Sequence, residues 1–220
     1  MIPVLNYIYV SVILSAFLSS LIRFRLDLPF HLRLFSCLLG VTFVVELLAG
    51  ILFRPHHISN TPLYNAFAGP EFWVYGFYYY QLIRVRLLRK IIFLFLIIFP
   101  IFWFVTVFFL FGFTIWNSYV LITGSFFSVL FAIMYYYQLI IAKDIQSLRN
   151  LPEFWIATGM LVFYLGALPY FGTLNFLLDY YKIHRGVSRS LLNVLKIVNT
   201  LMYGLFAYGF LCRIINTRKS

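Results

Sequence analysis

Seven long apolar runs, separated only by short connections, take up nearly all of this 220-residue chain. A helix needs about 20 apolar residues, at a rise of about 1.5 Å each, to cross the hydrocarbon of a bilayer. A soluble fold has no place for seven such runs, because too few residues are left over to make a polar exterior. In lipid each run satisfies its own backbone hydrogen bonds as a helix and needs no polar coat. The pattern therefore predicts an all-α, polytopic membrane protein. It is read as one domain over residues 1–220, a seven-helix bundle with helices near 3–22, 34–53, 64–83, 91–113, 119–142, 155–181 and 191–212. Arg54-Pro55 closes the second run, Leu151-Pro152 leads into the sixth, and Asn117-Ser118 parts the fourth from the fifth.

With 63% hydrophobic and only 10% charged residues, lipid has to be the solvent. A net charge of +11 invites a nucleic-acid reading, but the basic residues flank apolar runs rather than gather on a soluble face, so nucleic acid is excluded as a partner. They bear instead on orientation. The first, third and fifth connections and the carboxyl-terminal segment carry Arg23, Arg25, Arg33, Arg84, Arg86, Arg89, Lys90, Lys143, Arg149, Arg213, Arg218 and Lys219. The other side has Arg54, Lys182, Arg185 and Arg189, while Lys196 falls within a run. The basic excess marks the cytoplasmic side, which places the amino terminus outside and the carboxyl terminus in the cytoplasm. That arrangement takes an odd number of helices. The first run has no basic segment ahead of it and no small-residue cleavage pattern, and is expected to remain as a helix. Cys37 and Cys212 fall toward the reducing cytoplasmic side and are expected to stay thiols.

Small residues recur at four-residue steps in the first run (Ser11, Ser15, Ser19) and the fifth (Gly124, Ser128, Ala132), which predicts two seams of close helix approach. The fourth run has Thr106 as its only clearly polar interior residue and Phe on every face, and is expected to meet lipid or a second protomer, giving a homo-oligomer. Pro100 and Pro169 each remove a hydrogen bond from a span, so kinks are expected there. Tyr78-Tyr79-Tyr80-Gln81-Leu82-Ile83 recurs as Tyr135-Tyr136-Tyr137-Gln138-Leu139-Ile140, and Pro70-Glu71-Phe72-Trp73 as Pro152-Glu153-Phe154-Trp155. The two echoes differ in spacing, which favours repeated use of rings at the headgroup level over an internal duplication.

Ionisable side chains within hydrocarbon cost about 2.5–3.5 kcal/mol each on insertion scales and are the first functional candidates. Three are present: Glu46, Glu71 and Lys196. By helical rise they stand about 12, 10 and 8 Å from the outer ends of their helices, in one slab. The seventh run repeats Asn193, Lys196, Asn199, Thr200 and Tyr203 at three- and four-residue steps, an inward polar face. Tyr75 and Tyr78 follow Glu71 on the third. Glu46, Glu71, Tyr75, Asn193, Lys196 and Asn199 form the candidate ligand-binding set, in which one lysine can serve one glutamate directly. The competing readings are a snorkelling Lys196 and neutral, hydrogen-bonded packing carboxyls. Asn175 and Asp179 of the sixth run point toward the same end. His56, His57, Asp179 and His184 form a weaker zinc set, against which stands a solvated histidine loop and a surface pairing of Asp179 with Lys182 and Arg185. No nucleotide loop, metalloprotease, hydrolase or cysteine-pair motif is present, and no cofactor is implied.

Asn60-Thr61-Pro62-Leu63-Tyr64-Asn65 with Glu71-Phe72, and Leu151-Pro152-Glu153-Phe154-Trp155-Ile156 with Gly159 and Tyr164, resemble the pattern of uncharacterised bacterial seven-helix membrane proteins. Some of those are similar to the membrane modules of sensor histidine kinases. The resemblance covers about half of the chain, and it implies a bacterial inner-membrane location and a sensory role. Eight residues follow the seventh run, which leaves no room for a transmitter domain and points to a separate signalling partner. The expected function is a receptor-like module that binds a small or amphiphilic ligand in an outward-facing pocket, surrounded by membrane lipids. A cytoplasmic partner would meet the basic rim of Arg84, Arg86, Arg89 and Lys90, for which topology and anionic-lipid contact are the alternative. The rival readings are a small transporter or channel using the carboxylates, a metal-dependent lipid-modifying enzyme using the outer histidines, and a structural subunit.

Overall fold

A computed structural model describes residues 2–24, 28–50, 58–141, 148–180 and 185–217, with side chains described over most of these. The described residues form seven α-helices: α1 (Ile2–Phe24), α2 (Phe30–Leu48), α3 (Thr61–Leu82), α4 (Arg86–Val105), α5 (Ser118–Ile141), α6 (Pro152–Tyr180) and α7 (Arg185–Thr217). Six of them are long and apolar enough to cross a membrane, and α3 is the exception. Several helices start before the apolar run that announces them, at residue 61 rather than 64 for α3 and 185 rather than 191 for α7. Hydropathy marks what belongs in hydrocarbon, whereas the backbone coils onward through polar residues until something stops it. Proline supplies several of the starts: Pro29 precedes α2, Pro62 lies in the first turn of α3, and Pro152 opens α6. At the other end α2 passes at Leu48 into π-helical backbone at residues 49 and 50, and residues 51–53 of the expected run lie outside the described residues.

The helices do not close into a ring in strict chain order. α1 packs on α2 and α7, α6 on α5 and α7, and α3 on α2, α4 and α5, while α4 leans on α3 and touches α5 only slightly. Six helices thus form the ring and α4 lies against its outside. This explains the composition of both. α4 exposes Leu87, Phe93, Leu94, Ile97, Ile98, Ile101 and Phe104, and past Pro100 it widens into π-helical turns over Thr106–Phe111 with Phe108, Phe109 and Leu110 also outward. Such a surface needs lipid or protein around it. α3 carries Asn65, Glu71 and a tyrosine triplet, and it can do so because neighbours cover it on three sides.

Between helices in lipid there is no hydrophobic drive, so close packing and interhelical hydrogen bonds hold the bundle. Asn65 is the best example. Its side-chain amide nitrogen donates to the Phe113 and Ile115 carbonyls at 2.9 and 2.7 Å, its Oδ1 accepts from the Asn117 N–H at 3.2 Å, and its backbone carbonyl accepts from Trp103 Nε1 at 2.9 Å. One buried residue fastens α3 to α4 and to the turn before α5. At the opposite end Gln138 accepts from the Arg84 N–H at 2.5 Å and donates to the Leu82 carbonyl at 3.1 Å, tying α5 to the α3–α4 corner.

The expected seam at Gly124, Ser128 and Ala132 is buried as a unit, with Phe72 against it. The expected seam at Ser11, Ser15 and Ser19 is not: Ser11 and Ser15 are exposed, and α1 packs instead through Tyr9, Ile13, Ala16 and Ser20. Ser15 satisfies its hydroxyl on the Val12 carbonyl of its own helix at 2.7 Å, so a serine in lipid needs no burial. The tyrosine triplets differ likewise from a headgroup belt. Tyr78 and Tyr79 are fully buried in the core, and Tyr79 donates to Met160 Sδ at 3.6 Å.

A Cβ placed on Gly124 would lie 2.3 Å from the enclosed Phe72 ring, whereas one on Gly204 meets nothing within 4 Å. Gly124→Ala is expected to cost about 1–3 kcal/mol through overpacking. Gly204→Ala is expected to be neutral or to gain up to about 1 kcal/mol of helix propensity. Thermal unfolding in detergent reads both, and an unchanged or raised midpoint for Gly124→Ala contradicts the packing described.

Candidate functional site

The polar residues of the runs meet where six helices diverge. A cavity of about 1330 Å³ opens among α1, α2, α3, α5, α6 and α7, toward the end where α2 finishes and α3 begins. Its wall includes Asn6 and Tyr9 of α1, Thr42 and Glu46 of α2, Tyr64, Phe67 and Glu71 of α3, Leu121 of α5, Tyr164 of α6, and Lys196, Asn199 and Tyr203 of α7. Four of the six expected binding residues, Glu46, Glu71, Lys196 and Asn199, line this one space. Tyr75 stands behind the wall and reaches it through its hydroxyl, which donates to Glu71 Oε1 at 2.9 Å. Asn193 is half-buried, one turn before Lys196, and does not line the cavity.

The two carboxylates have unlike surroundings. Glu46 Oε2 accepts from the Tyr64 hydroxyl at 3.1 Å, the Tyr9 hydroxyl also bonds this carboxylate, and the Lys196 ammonium attracts it. Lys196 itself donates to Asn6 Oδ1 on α1, a residue that a scan for charges passes over. Glu71 has phenols only: Tyr75 at 2.9 Å and Tyr164 at 3.5 Å, both on Oε1. Among the described residues no basic side chain lies within salt-bridge distance of Glu71. Phenol donors let a carboxylate stay in an apolar interior because they offer hydrogen bonds without a second desolvated ion. Asn199 donates to the Tyr9 hydroxyl at 3.0 Å, so a tyrosine also links α1 to α7 across the cavity. Among the lining residues, Trp116 Nε1 and Asn199 Oδ1 are buried atoms without a hydrogen-bond partner.

Below the cavity the bundle is packed solid. Phe35 lies against Tyr75, Tyr78, Phe206 and Phe210, with ring centroids 5.1–6.4 Å apart, and Phe35, Tyr78, Phe206 and Phe210 are each under 2% exposed. Beyond this plug, at the start of α2 and about 22 Å from Glu46 by helical rise, His31 Nε2 lies 3.4 Å from Glu153 Oε1. That pair went unanticipated, because both residues lie outside the apolar runs and only the fold brings them together.

Tyr9, Tyr64, Tyr164 and Tyr203 were also missing from the expected binding set. Their signal in the sequence is positional: Tyr203 is seven residues, two helical turns, beyond Lys196, and Tyr164 is eleven residues beyond Glu153 on the face of α6 that meets Glu71. Of the zinc set, His56, His57 and His184 and the side chain of Asp179 lie outside the described residues, as does the side chain of Asn175. Among the described residues no group of three or more His, Cys, Asp or Glu side chains could hold a metal.

Cysteine accessibility tests this geometry. In a background where Cys37 and Cys212 are replaced by serine, Asn199→Cys is expected to react with a small, charged thiosulfonate. Ala157→Cys, placed at a fully buried α6 position beneath Tyr164, is expected to remain unmodified while the first goes to completion. Similar rates at both positions contradict a cavity with a closed floor. Comparison of the chain with family models, curated proteins and solved structures returns no match.

Proposed function

We propose that the chain is an integral membrane protein whose cavity binds a small or amphiphilic molecule, and that it acts as a receptor-like module passing a helix shift to a separate partner. The observation that carries this reading is the cavity, with an apolar and aromatic wall and a few convergent polar groups, the usual make-up of a small-molecule site. The plug of Phe35, Tyr78 and Phe206 under its floor favours a binding pocket over a continuous conduction path. Helices from both ends of the chain border the cavity, so an occupant that drew α7 toward α2 or α3 would move the opposite ends of those helices as rigid bodies.

In this reading α3 is a seventh span, shielded from lipid by α2, α4 and α5, and the seven spans place the amino terminus outside and the carboxyl terminus in the cytoplasm. The excess of Lys and Arg at the Arg84–Lys90 end supports that orientation. The cavity then opens outward, and the bilayer is the bacterial inner membrane. Arg84, Arg86, Arg89 and Lys90 are exposed, with the Arg89 guanidinium 4.3 Å from the centre of the Tyr80 ring, and form the rim available to anionic lipid or a cytoplasmic partner. The outward face of α4 is the surface on which a second protomer would pack.

N-Phenyl-1-naphthylamine, a neutral probe that brightens in apolar surroundings, tests the pocket. Purified protein in maltoside micelles is expected to show saturable one-to-one binding above the micelle blank. Val10→Trp, which adds a bulky ring to the cavity wall, is expected to weaken it by about tenfold, corresponding to about 1.4 kcal/mol. Purely partition-like binding, or binding indifferent to Val10→Trp, contradicts the proposal.

A further inference from the structure

Among the described lining residues the charges are unequal: two carboxylates, Glu46 and Glu71, face one ammonium, Lys196. The lysine donates to Asn6 on α1 and attracts Glu46. At Glu71 the arrangement is different. Tyr75 and Tyr164 both donate to Oε1, so among the described residues Oε2 has no donor and no basic side chain lies within salt-bridge distance of Glu71. An anionic ligand entering here would add a third negative charge. A neutral one would leave the imbalance as it is. A cation placed between Glu71 and Glu46 would relieve their repulsion and donate to the open oxygen.

The walls favour the same sign. Tyr164 lies against Phe72 and Tyr75, with ring centroids 5.5 and 5.9 Å apart, and Tyr64 meets Trp116 at 6.1 Å. Aromatic faces attract ammonium groups through the ring quadrupole, most strongly where water is excluded. The remaining lining, including Val10, Leu47, Phe67, Leu121 and Leu195, suits a hydrocarbon tail. Asn199 adds an acceptor atom without a partner.

Resting on the reading of this cavity as a binding site, we propose that its ligand is a cationic amphiphile, a protonated amine on an apolar chain. Its ammonium group hydrogen-bonds Glu71 Oε2 and lies between Glu71 and Glu46.

Three probes of one chain length separate charge from hydrophobicity: octylammonium, octanol and octanoate, each used to displace N-phenyl-1-naphthylamine from the full-length protein in maltoside micelles. Octylammonium is expected to displace the probe at a concentration about tenfold or more below octanol, the gain of a close charge pair whose attraction outweighs its desolvation, and octanoate is expected to be the weakest. Glu71→Gln is expected to bring octylammonium down to the level of octanol while octanol itself is unchanged, which also shows that the variant is folded. Lys196→Gln is expected to keep or widen the preference for ammonium, and together with the wild-type ranking it decides the matter if Glu71→Gln does not fold. Equal displacement by octanol and octylammonium overturns the cationic assignment and leaves the pocket standing, as would be seen with a protonated Glu71. Tighter displacement by octanoate overturns it in favour of Lys196 as anchor. Failure of the fluorescent probe to bind at all overturns both the assignment and the pocket.

Discussion

A polar group in hydrocarbon has no water to fall back on, and this one fact organises the bundle. A side chain able to hydrogen-bond is costly to bury there unless it finds a partner in its own helix, in a neighbouring helix, or in a shared hollow. Several serines and threonines take the first route, as Ser36 and Thr42 do on carbonyls four residues back at 2.9 Å. Asn65 and Gln138 take the second and so fix the corners of α3, α4 and α5. Glu46, Glu71 and Lys196 are too strongly hydrated for either, and they gather with their phenols and amides around a single cavity. α3 depends on this arrangement most, since its composition is tolerable only behind α2, α4 and α5.

Structure and proposed function are linked by what the tyrosines do. Phenols let two carboxylates occupy an aromatic interior without two dedicated cations. They also connect helices that are far apart in sequence, with Tyr9 of α1 bonded to Asn199 of α7 and Tyr164 of α6 reaching Glu71 of α3. A ligand that engages the carboxylates competes for the same hydrogen bonds, so occupancy would be felt by α1, α2, α3, α6 and α7 together. The rings below, centred on Phe35, are close-packed, and close-packed interiors transmit strain.

Much of this was legible in the residues. Helix number and approximate placement followed from hydropathy, and the common depth of Glu46, Glu71 and Lys196 could be read from helical rise, whereas their sharing of one cavity depends on which helices are neighbours. The burial of Gly124, Ser128 and Ala132 followed from spacing. What was not legible depended on which helix faces which. Serine spacing on α1 looked like a seam although Ser11 and Ser15 are exposed and Ser15 bonds its own helix, and a side chain meeting Lys196 is Asn6, near the start of the chain. The buried positions of Tyr78 and Tyr79 look, in sequence, like a headgroup belt. The outward face of α4 agrees with its Phe-rich composition, whereas the packing of α3 on α5, which leaves α4 against the outside of the other six helices, is a contact no local pattern announces.

The central claim is that residues from α2 and α7 share one cavity and feel one another there. A double-mutant cycle on Glu46 and Lys196, using Glu46→Gln, Lys196→Met and the pair, measures that directly by reversible unfolding in detergent. The convergence described here predicts that the double variant is less destabilised than the sum of the single variants, with a coupling of about 0.5–3 kcal/mol. Additivity within about 0.3 kcal/mol, the behaviour of distant and independent sites, would contradict it.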